Sequence, residues 1–357
     1  MKKKVVAGIL AGVMAMGLLA GCGSASSDSS SDSSSEETTE ETTEDTEEAS
    51  DDTAEASGDI GTITFIMALR DEFLSTLEAG ALSVAEEMGV NLVTQDANND
   101  SSKLIQYIET AKTDGQKAII INMVDPGTAA QCVEAAGDMY VVFVNRYPSD
   151  DSVLNEKVVY VGSDENTSGK YQGEALAEYF KAEGKTDIKY ILLNGTLGQT
   201  STTLRTESVL KALEDNGINA EEASAPLACD FDRAEAQTQI SPLLETTEYD
   251  CIIANNDAMA LGAVEAMKDH NLDPSSLPIV GIDATADGCA AVKSGEMYMT
   301  VFQNANGQGA AAIQAAINLI NGDDLAANTG YEVDDENASI LWVPFEPVNA
   351  DNVDDYM

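Results

Sequence analysis

Histidine is almost absent, basic residues are scarce, and no pair of cysteines carries metal-site spacing. The one histidine, His270, falls at the end of a helical pattern. No Ser-His-Asp set can therefore be built, and no G-x-S-x-G elbow marks a nucleophile. No G-x-x-x-x-G-K-[ST] loop is present to cradle phosphates. Lys and Arg number 18 against 63 Asp and Glu, a formal charge of −45 over 357 residues. That sign repels nucleic-acid phosphates and says little about fold. None of the five cysteines belongs to a C-x-x-C pair, which argues against zinc. Cys132, Cys229, Cys251 and Cys289 each lie in an apolar stretch, and buried free thiols are preferred there over disulfides. No metal and no cofactor are expected.

The N-terminus bears on the compartment. Lys2, Lys3 and Lys4 precede an almost purely apolar run over 5–20. This length suits a signal peptide and is short of the roughly 20 apolar residues of a membrane span. The run ends Leu19-Ala20-Gly21-Cys22. It resembles a bacterial lipobox, with residues 1–21 removed and Cys22 lipidated; the alternative is an ordinary signal with a chance cysteine. Residues 22–58 follow as a Ser, Thr, Asp and Glu segment with 13 acids and no Lys or Arg. Such a composition buries too little apolar surface to offset its ordering entropy, and its charges repel and extend it. An acidic, disordered tether is expected.

From Asp59 about 300 residues remain, more than one hydrophobic core usually supports. Apolar, β-branched runs at 62–68, 90–94, 118–123, 139–145 and 158–161 predict strands. Helical spacing separates them at 72–88, 102–113 and 168–182, and Asp125-Pro126 is read as opening another helix. The alternation continues through strands at 189–193, 220–224, 251–254, 279–282 and 299–302. Strands apolar on both faces and separated by helices imply parallel sheets covered on both sides. The fold class is α/β, with two doubly wound lobes.

In such sheets ligands sit beyond the carboxyl ends of the strands. Polar residues collect there: Arg70-Asp71-Glu72-Phe73, Asn145-Arg146-Tyr147, then Asn194 with Gln199, Ser201 and Arg205 close behind. Further along come Asp230-Phe231-Asp232, Asn255-Asn256-Asp257, Asp283 and Gln303-Asn304. Asp, Asn, Gln and Arg offer paired hydrogen-bonding groups that suit adjacent sugar hydroxyls. Phe73 and Phe231 offer faces for the apolar side of a pyranose. For each position the plain alternative is a helix N-cap.

Several of these stretches carry a resemblance. Residues 252–260, Ile-Ile-Ala-Asn-Asn-Asp-Ala-Met-Ala, look like the matching segment of the galactose/glucose-binding proteins of bacterial ABC transporters. So do Val141–Arg146 in Val-Val-Phe-Val-Asn-Arg, Tyr160-Val161-Gly162-Ser163-Asp164 with Ser168-Gly169 and Gln172-Gly173, Val280-Gly281-Ile282-Asp283, and Val292-Lys293-Ser294-Gly295. The chain resembles the sugar-type periplasmic binding proteins from about Thr62 onward. The resemblance implies a type I fold, two lobes joined by a three-crossover hinge that closes on a sugar. Residues 59–164 with 304–338 would form the first lobe, and 165–303 with 339–357 the second. It implies ligand contacts at Asp71, Phe73, Asn145, Arg146, Arg205, Phe231, Asn256 and Asp283.

Departures from the galactose/glucose pattern are equally informative. Gln199 and Ser201 stand where that pattern has histidine and aspartate, Gln303 where it has asparagine, and Phe231 where it has tryptophan. Residues 181–188 lack the D-x-[DN]-x-[DN]-G series of its calcium loop, so no calcium is expected there. A glycosidase pair of Asp71 and Asp283 is disfavoured, because nearby amides and arginines satisfy carboxylates as ligands. The export signal and the lack of an N-terminal helix-turn-helix argue against the repressors that share the fold. The reading is a non-enzymatic solute-binding protein, held outside the cytoplasm by a lipid on Cys22. It captures a galactose- or glucose-like monosaccharide and delivers it to an ABC transporter permease. The alternatives are a pentose, inositol or nucleoside ligand, or a sensor for a membrane chemoreceptor. A monomer without nucleic-acid partners is expected.

Overall fold

The strand Ala118–Ile121 shows how the sheets are built. Its four residues are all buried. Ala118 and Ile120 face one hydrophobic cluster, while Ile119 and Ile121 face another. A strand with apolar side chains on both faces needs cover on both, and full burial of each isoleucine contributes roughly 1.5–3 kcal/mol. The computed structural model describes residues Ile60–Met357. The expected signal peptide at 1–21, Cys22 and the tether at 22–58 lie outside the described residues.

The first sheet is assembled from β1 (Thr62–Met67), β2 (Asn91–Asp96), β3 (Ala118–Ile121), β4 (Tyr140–Val144) and β5 (Val158–Gly162), completed much later by β12 (Glu332–Val333) and β13 (Ile340–Trp342). The second sheet uses β6 (Asp187–Asn194), β7 (Asn219–Glu222), β8 (Leu227–Ala228), β9 (Cys251–Ala254), β10 (Ile279–Val280), β11 (Met299–Gln303) and β14 (Phe345–Asn349). Their orders are β12-β13-β5-β4-β3-β1-β2 and β14-β11-β10-β9-β6-β7, with β8 also beside β6. Pairing is parallel except for β12–β13 and β11–β14.

Helices cover both faces of each sheet. In the first lobe α1 (Glu72–Glu87) packs against α9 (Ala305–Asn321) on one side, with α2 (Ser101–Thr113) and α3 (Ala129–Ala136) on the other. A Cβ at Gly309 would sit 1.9 Å from the Leu77 carbonyl oxygen, so only glycine lets α9 approach α1 this closely. In the second lobe α4 (Glu165–Ala182) and α5 (Thr200–Asp215) pair on one face. The other face carries α6 (Arg233–Ile240), α7 (Asp257–Asp269) and α8 (Ala286–Ser294). The four cysteines named above are buried, unpaired thiols.

The chain crosses between the lobes three times. The first crossing, Ser163-Asp164, joins β5 to α4; the second, Asn304, joins β11 to α9. The third lies at Val343-Pro344, because β13 pairs with β5 of the first sheet and β14 with β11 of the second. That is later than the 338/339 division expected from the sequence. Two further expectations are corrected. α4 starts at Glu165, not at 168, with the Asp164 carboxylate capping it by accepting from the Asn166 amide. Asp125-Pro126 opens a single 3-10 turn, Pro126–Thr128, before α3 begins.

Candidate functional site: a polar cleft between the lobes

The carboxyl ends of both sheets face one cleft. Asp71 caps α1, its Oδ1 accepting from the Leu74 amide at 2.7 Å. Burial raises its pKa, opposed by that amide and by the charge of Arg146. Phe73 follows it and packs against the first-lobe core. Asn145 comes directly after β4 with φ 67°. Its Oδ1 accepts from Asn122 at 3.3 Å, and its Nδ2 donates to Gln308 at 3.2 Å. Arg146 donates to the carbonyls of Met123 and Val124, and burial pushes its pKa down to about 10.

The second lobe supplies the opposite wall. Gln199 is buried at the start of α5 and makes no side-chain cap bond. Ser201 and Arg205 follow, four residues apart on the same helix face. Arg205 is held by Glu165, Nε to Oε2 at 2.6 Å and Nη2 to Oε1 at 2.9 Å. It also donates to the Asn255 carbonyl at 2.7 Å and to Gln303 Oε1 at 3.2 Å. Phe231 has φ 61°, and its ring lies on Gly195, where a Cβ would come within 2.0 Å. Asn256 caps α7 through a 3.0 Å bond from the Met259 amide.

Asp283 and Gln303 complete this wall. Asp283 is buried with φ 122°. Burial raises its carboxyl well above the usual range, with Arg205 opposing and Asp257 reinforcing the shift. Behind it, buried Asp257 accepts from Thr300 Oγ1 at 2.6 Å and the Thr285 amide at 2.9 Å. Burial raises Asp257 to about 7. Gln303 ends β11, and its Nε2 is buried without a hydrogen-bond partner.

The eight residues implied as ligand contacts and the three departures Gln199, Ser201 and Gln303 line this one cleft, and Leu74 and Glu165 join them. For Asp71 and Asn256 the capping alternative also holds: one oxygen of each serves the helix, leaving the other polar atom for the cleft. The remaining strand-end candidates serve local structure. Arg70 forms a two-pronged ion pair with Glu78, Asp232 caps α6, and Asn304 caps α9. Asn255 braces the Gly195 amide. His270 ends α7 beside Glu245, outside the cleft. Among the described residues no group of His, Cys, Asp or Glu side chains is arranged to hold a metal ion. The run Ser163-Asp164-Glu165, a capping residue followed by an acid, marks the start of α4, but nothing local points Glu165 to Arg205.

Comparison with known proteins agrees with this geometry. The family described as periplasmic binding protein domain matches residues 63–324. The chain belongs to the periplasmic binding protein family. It is 31% identical over 300 residues to the D-galactose/methyl-galactoside binding periplasmic protein of Haemophilus influenzae, covering 80% of this chain and 88% of that protein. It is 30% identical over 290 residues to a putative rhizopine-binding protein of Rhizobium meliloti, covering 80% and 89%. An ABC transporter solute-binding protein from Bacillus halodurans, solved with bound myo-inositol, superposes with a TM-score of 0.70 at 28% identity, covering 84% of this chain and 98% of that one. Within the periplasmic binding protein family the chain is a type I member of the sugar-binding group. It is a solute-binding transport protein and not an enzyme.

Proposed function

We propose that this protein captures a galactose- or glucose-like monosaccharide between its lobes and delivers it to the permease of an ABC transporter while tethered to the membrane through a lipid on Cys22. The observation that carries this reading is the composition of the cleft. Amides, carboxylates and arginines from both lobes meet there, with Phe73 and Phe231 as apolar faces. A neutral polyol has the paired donors and acceptors to satisfy such groups. A ligand touching both walls favours the closed arrangement by its differential affinity for it. The closed shape is the one that docks on the permease.

A cyclitol or pentose is the second reading. Gln199, Ser201, Phe231 and Gln303 change the hydrogen-bonding map relative to the galactose/glucose pattern, and a site matched to hydroxyls rejects mismatched ones strongly. Relatives named for ribose import and rhizopine support keeping this class in view. The test is a thermal-shift panel of D-galactose, D-glucose, ribose, myo-inositol, nucleosides and amino acids. A true ligand at a hundred times its Kd adds about 2.7 kcal/mol of stability. A melting point moved only by amino acids or nucleosides would overturn the sugar reading. Palmitate labelling of the wild-type chain and of Cys22→Ala tests the anchor; equal labelling would sink it.

A further inference from the structure

The carboxylate that holds Arg205 comes from the hinge. The galactose/glucose pattern places an aspartate one turn ahead of this arginine, and Ser201 stands there instead. Here Glu165, the first residue of α4 after the first crossing, holds the guanidinium with two contacts of 2.6 and 2.9 Å. Both side chains are about 5% exposed or less. The same guanidinium donates to Gln303, the last residue of β11 before the second crossing. Arg205 therefore touches the second-lobe wall of the cleft and two of the three crossings at once.

The first lobe repeats the arrangement. Asn145 donates to Gln308 Oε1, and Gln308 Nε2 donates to Ser163 Oγ at 2.9 Å. Gln308 lies in the first turn of α9, just past the second crossing, and Ser163 lies in the first. Each wall is tied through one buried side chain to the segments that must rotate when the lobes move.

We propose that Glu165 is a positioning residue that aims Arg205 into the cleft and ties solute contact at that wall to the hinge. The proposal rests on the solute-binding reading of the cleft. A carboxylate on the hinge side does two things, and one at position 201 would do only the first. It orients the guanidinium, and it stiffens the crossing it comes from. Removing its charge takes from the buried Arg205 its one ion-paired carboxylate, leaving the Asn255 carbonyl, Gln303 and the field of Asp283.

The test uses Glu165→Gln and the double variant Glu165→Gln/Ser201→Asp in the full chain, with two readouts. Hydrogen exchange on ligand-free protein follows the amides at 162–166 and 302–305. Glu165→Gln speeds exchange there roughly tenfold or more, with β3 and β9 unchanged. Calorimetry with D-galactose and with myo-inositol then measures affinity. Glu165→Gln weakens binding at least about tenfold. In the double variant the carboxylate on α5 restores most of the affinity but not the protection at the crossings, because it is not attached to them. Unchanged exchange at the crossings in Glu165→Gln overturns the hinge tie. A weakened single variant that Ser201→Asp does not rescue overturns the positioning of Arg205. If neither solute binds the wild type, the galactose and inositol readings fail, and the exchange measurement alone decides the role of Glu165.

Discussion

The indole of Trp342 stacks on the ring of Tyr147, with centroids 6.3 Å apart and planes 18° from parallel. Trp342 ends β13 at the third crossing, and its Nε1 donates to Asp334 at 2.8 Å. Tyr147 follows the cleft residue Arg146, and its carbonyl accepts from Thr200 of the other lobe at 3.2 Å. The chain contains no other tryptophan. Intrinsic fluorescence is therefore a native reporter of hinge motion. A saturable change in tryptophan emission on solute addition is expected, with the same midpoint as calorimetry. Emission that stays flat while heat shows binding would rule out movement at this crossing.

Asp283 separates binding from folding. Its carboxylate lines the cleft, yet its backbone sits at φ 122° and that of Ala284 at 51°, a region only glycine enters without strain. Asp283→Ala should weaken solute binding by about 2 kcal/mol, roughly thirtyfold in Kd. Asp283→Gly should weaken it equally while holding or raising the melting temperature. Calorimetry beside thermal melts checks both, and undiminished affinity in either variant would remove Asp283 from the site.

Asp257 predicts how stability depends on pH. Buried in the fold it titrates near about 7, above its unfolded value, because burial disfavours its charge. The folded chain therefore holds a proton that the unfolded chain has released in the interval between those two pKa values. Its contribution to stability is full below the unfolded value and is lost as the pH rises through the folded one, with a slope of at most about 1.4 kcal/mol per pH unit. Urea midpoints measured between about pH 5 and pH 8 should fall with pH more steeply in the wild type than in Asp257→Asn. Parallel curves would contradict the assignment. The comparison with the variant removes the general repulsion of an acidic chain.

Gly195 holds the aromatic face in place. A methyl at this position would meet the far edge of the Phe231 ring, and the backbone there needs no positive φ. Gly195→Ala should displace that ring and cost roughly tenfold in solute affinity with little change in melting temperature. A variant that binds as well as the wild type would show that the ring can shift without loss.

Much of the fold was legible because burial on both faces leaves continuous apolar runs, as in β3 and β9. The cleft was legible for a related reason: a parallel sheet points the ends of its strands one way, so residues far apart in sequence, such as Asn145 and Gln303, meet. What escaped the sequence was short or shared. β12 to β14 have two to five residues each, too few to show a period, and Pro347 within β14 reads as a break. The third crossing was misplaced for that reason. Glu165 was missed because its role depends on Arg205, forty residues away, and no local pattern announces that pairing.

The late arrival of β13 and β14 bears on biosynthesis. Each sheet takes a strand from the final stretch of chain, β13 beside β5 and β14 beside β11. A nascent polypeptide halted before residue 340 carries two unfinished sheets with open strand edges. Neither sheet has its full set of strands until that stretch is made. Residues 340–349 thus close both sheets, Leu341 entering the first core and Val348 the second, so a cut ahead of β13 would open both.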